Sequence, residues 1–156
     1  MSASFSVCGT YRYQLSRRIE GQGGRLLLIG LNPSTADATQ NDPTIRRCMG
    51  FARTWGHSEL VVTNLFSFRA TRPQDLKAAR EPIGPETDTV LLQQAHQASR
   101  ILVAWGMHGG WMQRDEVVLA LLSAFPLFCL GLTKAGFPRH PLYLRADTQP
   151  LPYAAK

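Results

Sequence analysis

The sequence predicts an α/β fold: a three-layer α/β/α sandwich around a mostly parallel central sheet of about four core strands, with an N-terminal edge strand or hairpin added. Three observations lead there. Short, continuous apolar runs occupy residues 25–30, 60–64, 100–106 and 127–131. Such runs suit strands buried on both faces. Segments with helical spacing separate them, and no repeat, low-complexity stretch or linker interrupts the series. A chain of 156 residues suits one domain, 1–156, and 44% hydrophobic content is enough for a full core.

Tyr11 to Arg17 alternates large and polar residues, which suits an edge strand. Glycines 21, 23 and 24 mark a turn, and the first core strand follows it. That strand stops at Gly30, Leu31, Asn32 and Pro33, which is loop chemistry. Asp42 and Pro43 read as an N-cap and first-turn proline. The stripe Ile45, Cys48, Met49 and Ala52 then predicts a helix ending near Gly56. The second core strand ends at Asn64. A short helical turn begins at Pro73, and a helix is predicted over 86–98. The third strand ends at Gly106, a helix is predicted over 111–124, and the fourth strand leads into a tail containing Pro138, Arg139, His140 and Pro141.

Ligands of parallel α/β sheets bind beyond the carboxyl ends of the strands, so the residues there carry the functional reading. Gly30 permits a sharp turn or a close approach. Asn32 offers a donor and an acceptor, and Ser34 a hydroxyl. The same residues also make an ordinary Asn-Pro turn. Asn64, at the end of the second strand, can pair with the edge of a base or cap local backbone. Asp42 can orient water as a general base or serve as the N-cap alone. His140 is the best titratable candidate, held between two prolines, while His57, His96 and His108 have weaker cases. Phe66 and Phe68 flank Ser67, so one can stack on a base while the other packs inward.

The net charge of +6 favours anionic partners, nucleic acid first. Arg46, Arg47, Arg69 and Arg139 are the candidate phosphate contacts, with Arg72 and Lys134 nearby; each is otherwise a solvated surface cation. No cofactor or metal is expected, because Cys8, Cys48 and Cys129 lie far apart. No apolar run approaches the roughly 18–20 residues of a membrane span, and the first residues lack signal-peptide character. A cytoplasmic chain without membrane partners is expected. Walker, dinucleotide, zinc-protease and serine-hydrolase motifs are missing.

Four segments resemble a bacterial family of uncharacterised proteins, domain of unknown function family 1643: residues 31–37, 41–47, 63–71 and 138–144. A remoter resemblance is to the uracil-DNA glycosylase superfamily. Gly30, Leu31, Asn32 and Pro33 resemble the water-positioning loop of those enzymes. Residues 60–65 resemble the strand whose terminal Asn reads the base, and His140 with Pro141 resembles the start of their DNA-contacting His-Pro loop. Leu142 and Tyr143 then stand where those enzymes carry Ser and a second Pro. The resemblance implies a uracil-DNA glycosylase-like fold and hydrolysis of the N-glycosidic bond of a damaged or modified base in DNA. Asn32, Asp42 and His140 would be catalytic; Asn64, Phe66, Phe68, Gly30 and Ser34 would hold the base. Two alternatives stand beside it: an enzyme acting on a free nucleotide, nucleoside or modified base, and a non-catalytic module binding nucleic acid or a nucleotide.

Overall fold

A computed structural model describes residues 1–154. Seven strands form one sheet: β1 (Ser2–Phe5), β2 (Arg12–Arg18), β3 (Arg25–Gly30), β4 (Glu59–Asn64), β5 (Arg100–Val103), β6 (Leu127–Cys129) and β7 (Leu151–Pro152). The helices are α1 (Pro43–Thr54), α2 (Pro73–Ala78), α3 (Thr87–Gln97) and α4 (Arg114–Leu121), with a 3₁₀ segment over Met107–Gln113. The spatial order of the sheet is β1-β2-β4-β3-β5-β6-β7.

The expected mostly parallel sheet of about four core strands is corrected by this arrangement. The sheet is mixed and larger. β1 with β2, β2 with β4 and β6 with β7 pair antiparallel. Only β3 with β4, β3 with β5 and β5 with β6 pair parallel. The antiparallel flanks arise because a hairpin or a returning tail can extend a sheet without a crossover helix. Their signals in the sequence are weak: β1 is half exposed, and β7 has two exposed residues. β2 is also not the edge strand that its alternation suggested. It lies between β1 and β4, and β1 is the edge.

Strand side chains alternate between two cores. Leu26 and Leu28 of β3, Leu60 and Val62 of β4, and Leu102 of β5 pack against Ile45, Cys48, Phe51 and Ala52 of α1. Leu27, Ile29, Val61, Ile101 and Val103 pack against Leu91 and Ala95 of α3 and Val118 of α4. α1 forms where the sequence sets an N-cap. The Asp42 carboxylate accepts the Ile45 N–H at 2.8 Å, and Pro43 occupies the first turn, where no helical N–H is required.

The loop before α1 is held by a buried cation. The Arg17 side chain is inaccessible to solvent. Its Nε donates to Asn41 Oδ1 at 2.8 Å, and its Nη2 donates to the carbonyls of Asp37 at 2.5 Å and Gln40 at 3.1 Å. Arg17→Met leaves these acceptors without their donor. It is expected to cost about 1.5–3 kcal/mol in urea unfolding and to loosen residues 37–42 in hydrogen exchange. An unchanged midpoint and unchanged protection would contradict this role.

His57 lies buried in the turn after α1, and neither ring nitrogen has a hydrogen-bond partner among the described residues. Burial lowers its pKa from 6.5, and the charge of Arg100 acts in the same direction. The unfolded chain therefore takes up the proton first as pH falls. The stability contributed by neutral His57 is complete above 6.5 and is lost as pH drops through the lower folded value. Urea unfolding on both sides of pH 6.5 is expected to show this loss, and His57→Gln should flatten the slope.

Candidate functional site

The parallel register sets the site. Gly30 of β3 lies opposite Asn64 of β4. Both continue the sheet face that carries Leu28 and Val62, and Ala104 beyond β5 lies on that face too. A side chain at Gly30 would collide with Asn64, because its Cβ would lie 2.8 Å from Asn64 Oδ1. Asn64 is 4% exposed, and its Nδ2 has no hydrogen-bond partner among the described residues. A buried amide donor of this kind can take an acceptor from a ligand or a water molecule.

The loop after β3 is clamped to the loop after β4. Asn32 Nδ2 donates to the carbonyls of Pro33 at 3.0 Å and Ala70 at 2.8 Å, and the Ala70 N–H donates to the Pro33 carbonyl at 2.9 Å. Both amide hydrogens of Asn32 are thus committed to backbone. Its Oδ1 is the acceptor left over.

The third contribution comes from the tail. Gly106 turns with φ +74°, and its N–H donates to the Pro138 carbonyl at 2.9 Å. Leu132 bridges Pro138, and the Arg139 N–H donates to the Gly131 carbonyl at 2.9 Å. This folded-back tail delivers His140 to the rim, where its Nδ1 accepts the Leu142 N–H at 3.2 Å. That bond keeps the proton on Nε2. Desolvation lowers the His140 pKa from 6.5, with Asp42 opposing. At neutral pH the ring is therefore a neutral donor through Nε2.

Asn32, Asn64, Asp42 and His140 line one pocket of about 530 Å³, together with Gly30 and Ser34. The volume lies within the roughly 300–1,000 Å³ of small-molecule sites. Asp42 is the N-cap and also part of the pocket wall. One carboxylate oxygen holds Ile45, and the other has no hydrogen bond among the described residues.

Other predicted site residues fall elsewhere. Phe66 is fully buried in the core behind the sheet, 5.2 Å from the Trp111 ring. Phe68 meets Tyr11 edge-on and, with Arg69, borders a shallower cleft beyond Ser34 and Thr35. Arg69 also lies over the Phe5 ring at 4.9 Å. Arg46 and Arg47 line a separate surface depression with Leu142 and Tyr143. Arg139 is exposed against Gly131, and Arg72 pairs with Asp75. Of the weaker histidines, His108 lines the pocket, whereas His57 is in its turn and His96 packs on Phe125. Among the described residues no group of His, Cys, Asp and Glu is placed to hold a metal ion, and no helix is long and apolar enough to cross a membrane.

The sequence reading missed Arg12. It lines the pocket and is 2% exposed. The cause is a β-bulge: Ser4 pairs with Gln14 and Phe5 with Arg12, so Tyr13 is the extra residue. A bulge breaks the alternation of the strand. Arg12 therefore turns to the side of Arg17, and both guanidiniums reach the loop of residues 36–41. No spacing rule applied to an unbroken strand could have found it.

Fold and site together define an α/β protein with a pocket of about 530 Å³ on one face of a mixed sheet. The family described as Protein of unknown function (DUF1643) matches residues 12–142, and the chain belongs to that family. No curated protein and no solved structure matches the chain.

Gly30→Ala tests the close approach on which the pocket depends. The added methyl is expected to cost about 1–3 kcal/mol of stability and to displace the Asn64 amide. The Asn64 side-chain resonances should shift in NMR spectra. Unmoved resonances would show that the two residues are not in contact.

Proposed function

We propose that the pocket takes a nucleobase and that the protein hydrolyses its N-glycosidic bond in DNA. The observation that carries this reading is the meeting of Asn32, Asp42, Asn64 and His140 in one pocket. The motif likeness to uracil-DNA glycosylases supports the same roles.

The target base would leave the stack to enter the pocket. The free Asn64 Nδ2–H would donate to an acceptor on its edge. Asn32 Oδ1 and the unused Asp42 oxygen would hold a water molecule. As the bond between the sugar carbon and the base nitrogen breaks, its electron pair leaves with the base. The water oxygen bonds to that carbon, and its proton passes to Asp42. His140 Nε2–H would stabilise the negative charge on the departing base. Tyr143 supports a nucleic-acid substrate: it has φ +68° and stands fully exposed beside Arg46 and Arg47. A passing strand would meet an aromatic face and two cations there. A reducing compartment suits the three unpaired cysteines, and we place the activity in the cytoplasm.

A second reading, hydrolysis of a free nucleotide or nucleoside, is favoured by one observation. Phe66 lies in the core, and Phe68 and Arg69 border a separate cleft, so these three do not add to a grip at the pocket mouth.

Single-turnover assays separate the two readings. Duplex and single-stranded oligonucleotides, and the matching free nucleosides and nucleotides, would carry uracil, hypoxanthine, oxidised or hypermodified bases. Release from the oligonucleotides is expected. His140→Gln should slow it about 10²- to 10³-fold. Release from the free compounds alone would favour the second reading, and no release from any substrate would end both.

A further inference from the structure

Arg12 is a cation without a matching anion. Its side chain is almost wholly buried, yet it makes no ion pair among the described residues. Nη1 donates to the Ala36 carbonyl at 3.0 Å. Nε is buried with no partner, and Nη2 makes no hydrogen bond among the described residues. Taking a guanidinium out of water costs several kcal/mol unless a counter-charge and full hydrogen bonding offset it. Among the described residues Asp42 is the one carboxylate whose charge acts on Arg12, and the two form no ion pair or hydrogen bond. Arg17 and Arg69 add positive charge of their own. Burial brings the Arg12 pKa down to about 10, so the group stays charged at neutral pH.

The bulge at Tyr13 gives this placement a structural cause. It turns Arg12 from the sheet face that carries Gln14 into the pocket wall, beside the same cavity as Asn64. A planar donor fork with unused N–H groups matches oxygen anions in both charge and shape.

We infer that Arg12 is an anion receptor built into the pocket wall, and that the ligand presents a negatively charged oxygen to it. That oxygen belongs either to a phosphate or to an ionised carbonyl of the heterocycle. The inference rests on the pocket being the ligand site, as proposed above, but not on cleavage of any bond.

Calorimetry with paired probes tests it. Deoxyuridine monophosphate against deoxyuridine, with inorganic phosphate alone, reports on phosphate. Urate, anionic at neutral pH, against hypoxanthine reports on an ionised carbonyl. In at least one pair the anionic member should bind about tenfold or more tightly, which is about 1.4 kcal/mol. Arg12→Gln should abolish that preference, and Arg12→Lys should keep part of it. Equal binding within both pairs, no binding of any anionic probe, or a preference that survives Arg12→Gln would overturn the inference.

Arg12→Gln also weakens the anchor on Ala36. The wild-type Arg12 Nε–H resonance provides a readout that needs no variant. It should shift on titration with the preferred anion, and an unmoved signal alongside a shifted Asn64 amide would equally refute the receptor. Base release without charge preference would remove the receptor and keep the hydrolase. Charge preference without base release would do the reverse.

Discussion

The parallel pairing of β3 with β4 is the constraint on which the site depends. Register places Gly30 directly opposite Asn64, and the glycine leaves room for the amide oxygen that a methyl group would fill. A slip of one residue would turn Asn64 to the opposite face of the sheet. The register is fixed by burial on both sides: Leu26 and Leu28 face one core, Leu27 and Ile29 the other, and all four are essentially inaccessible. The energy that holds the polar site is thus the packing energy of an apolar ladder beneath it.

Around that ladder, buried guanidiniums do much of the positioning. Arg17 ties the loop before α1 and so places Asp42. Arg114, behind the sheet, donates from Nε to the Leu65 carbonyl at 2.8 Å and pairs with Asp88. Arg17 is tethered by several acceptors and Arg114 by a carbonyl and a carboxylate, as buried cations require. Arg12 has one. The contrast within a single molecule makes Arg12 informative: the fold satisfies its structural arginines and leaves the pocket arginine short.

The three parallel inner pairings join strands that were easy to read. Residues 25–30, 60–64 and 100–103 are unbroken apolar runs, and Asp42-Pro43 announces a helix in plain chemical terms. The direction of the whole sheet was not legible. β1 and β7 are short, exposed and fixed by pairing alone, so nothing in their own composition marks them as strands. The site was legible where its residues sit at strand ends, as Asn32 and Asn64 do. His140 was legible only as a histidine between prolines. Its arrival at the rim depends on the Gly106–Pro138 contact, which is long-range. Of the two aromatics after Asn64, Phe66 is the one that packs inward, because the core behind the sheet takes it; an aromatic after a strand end carries no sequence mark for which face it will take.

The protonation states give the pocket a definite polarity. Asn64 Nδ2, His140 Nε2 and the unused nitrogens of Arg12 are donors, whereas Asn32 Oδ1, Asn64 Oδ1 and one oxygen of Asp42 are acceptors with no hydrogen bond among the described residues. Desolvation lowers the His140 pKa against the pull of Asp42, so the fixed positive charge in the pocket belongs to Arg12. A ligand that accepts hydrogen bonds fits one part of this wall, and water fits the acceptors near α1. An amino-rich, cationic ligand would meet donors and a guanidinium where it needs oxygen. The polarity of the wall therefore narrows the ligand before any reaction is assigned, and it does so through charge balance rather than through likeness to another protein.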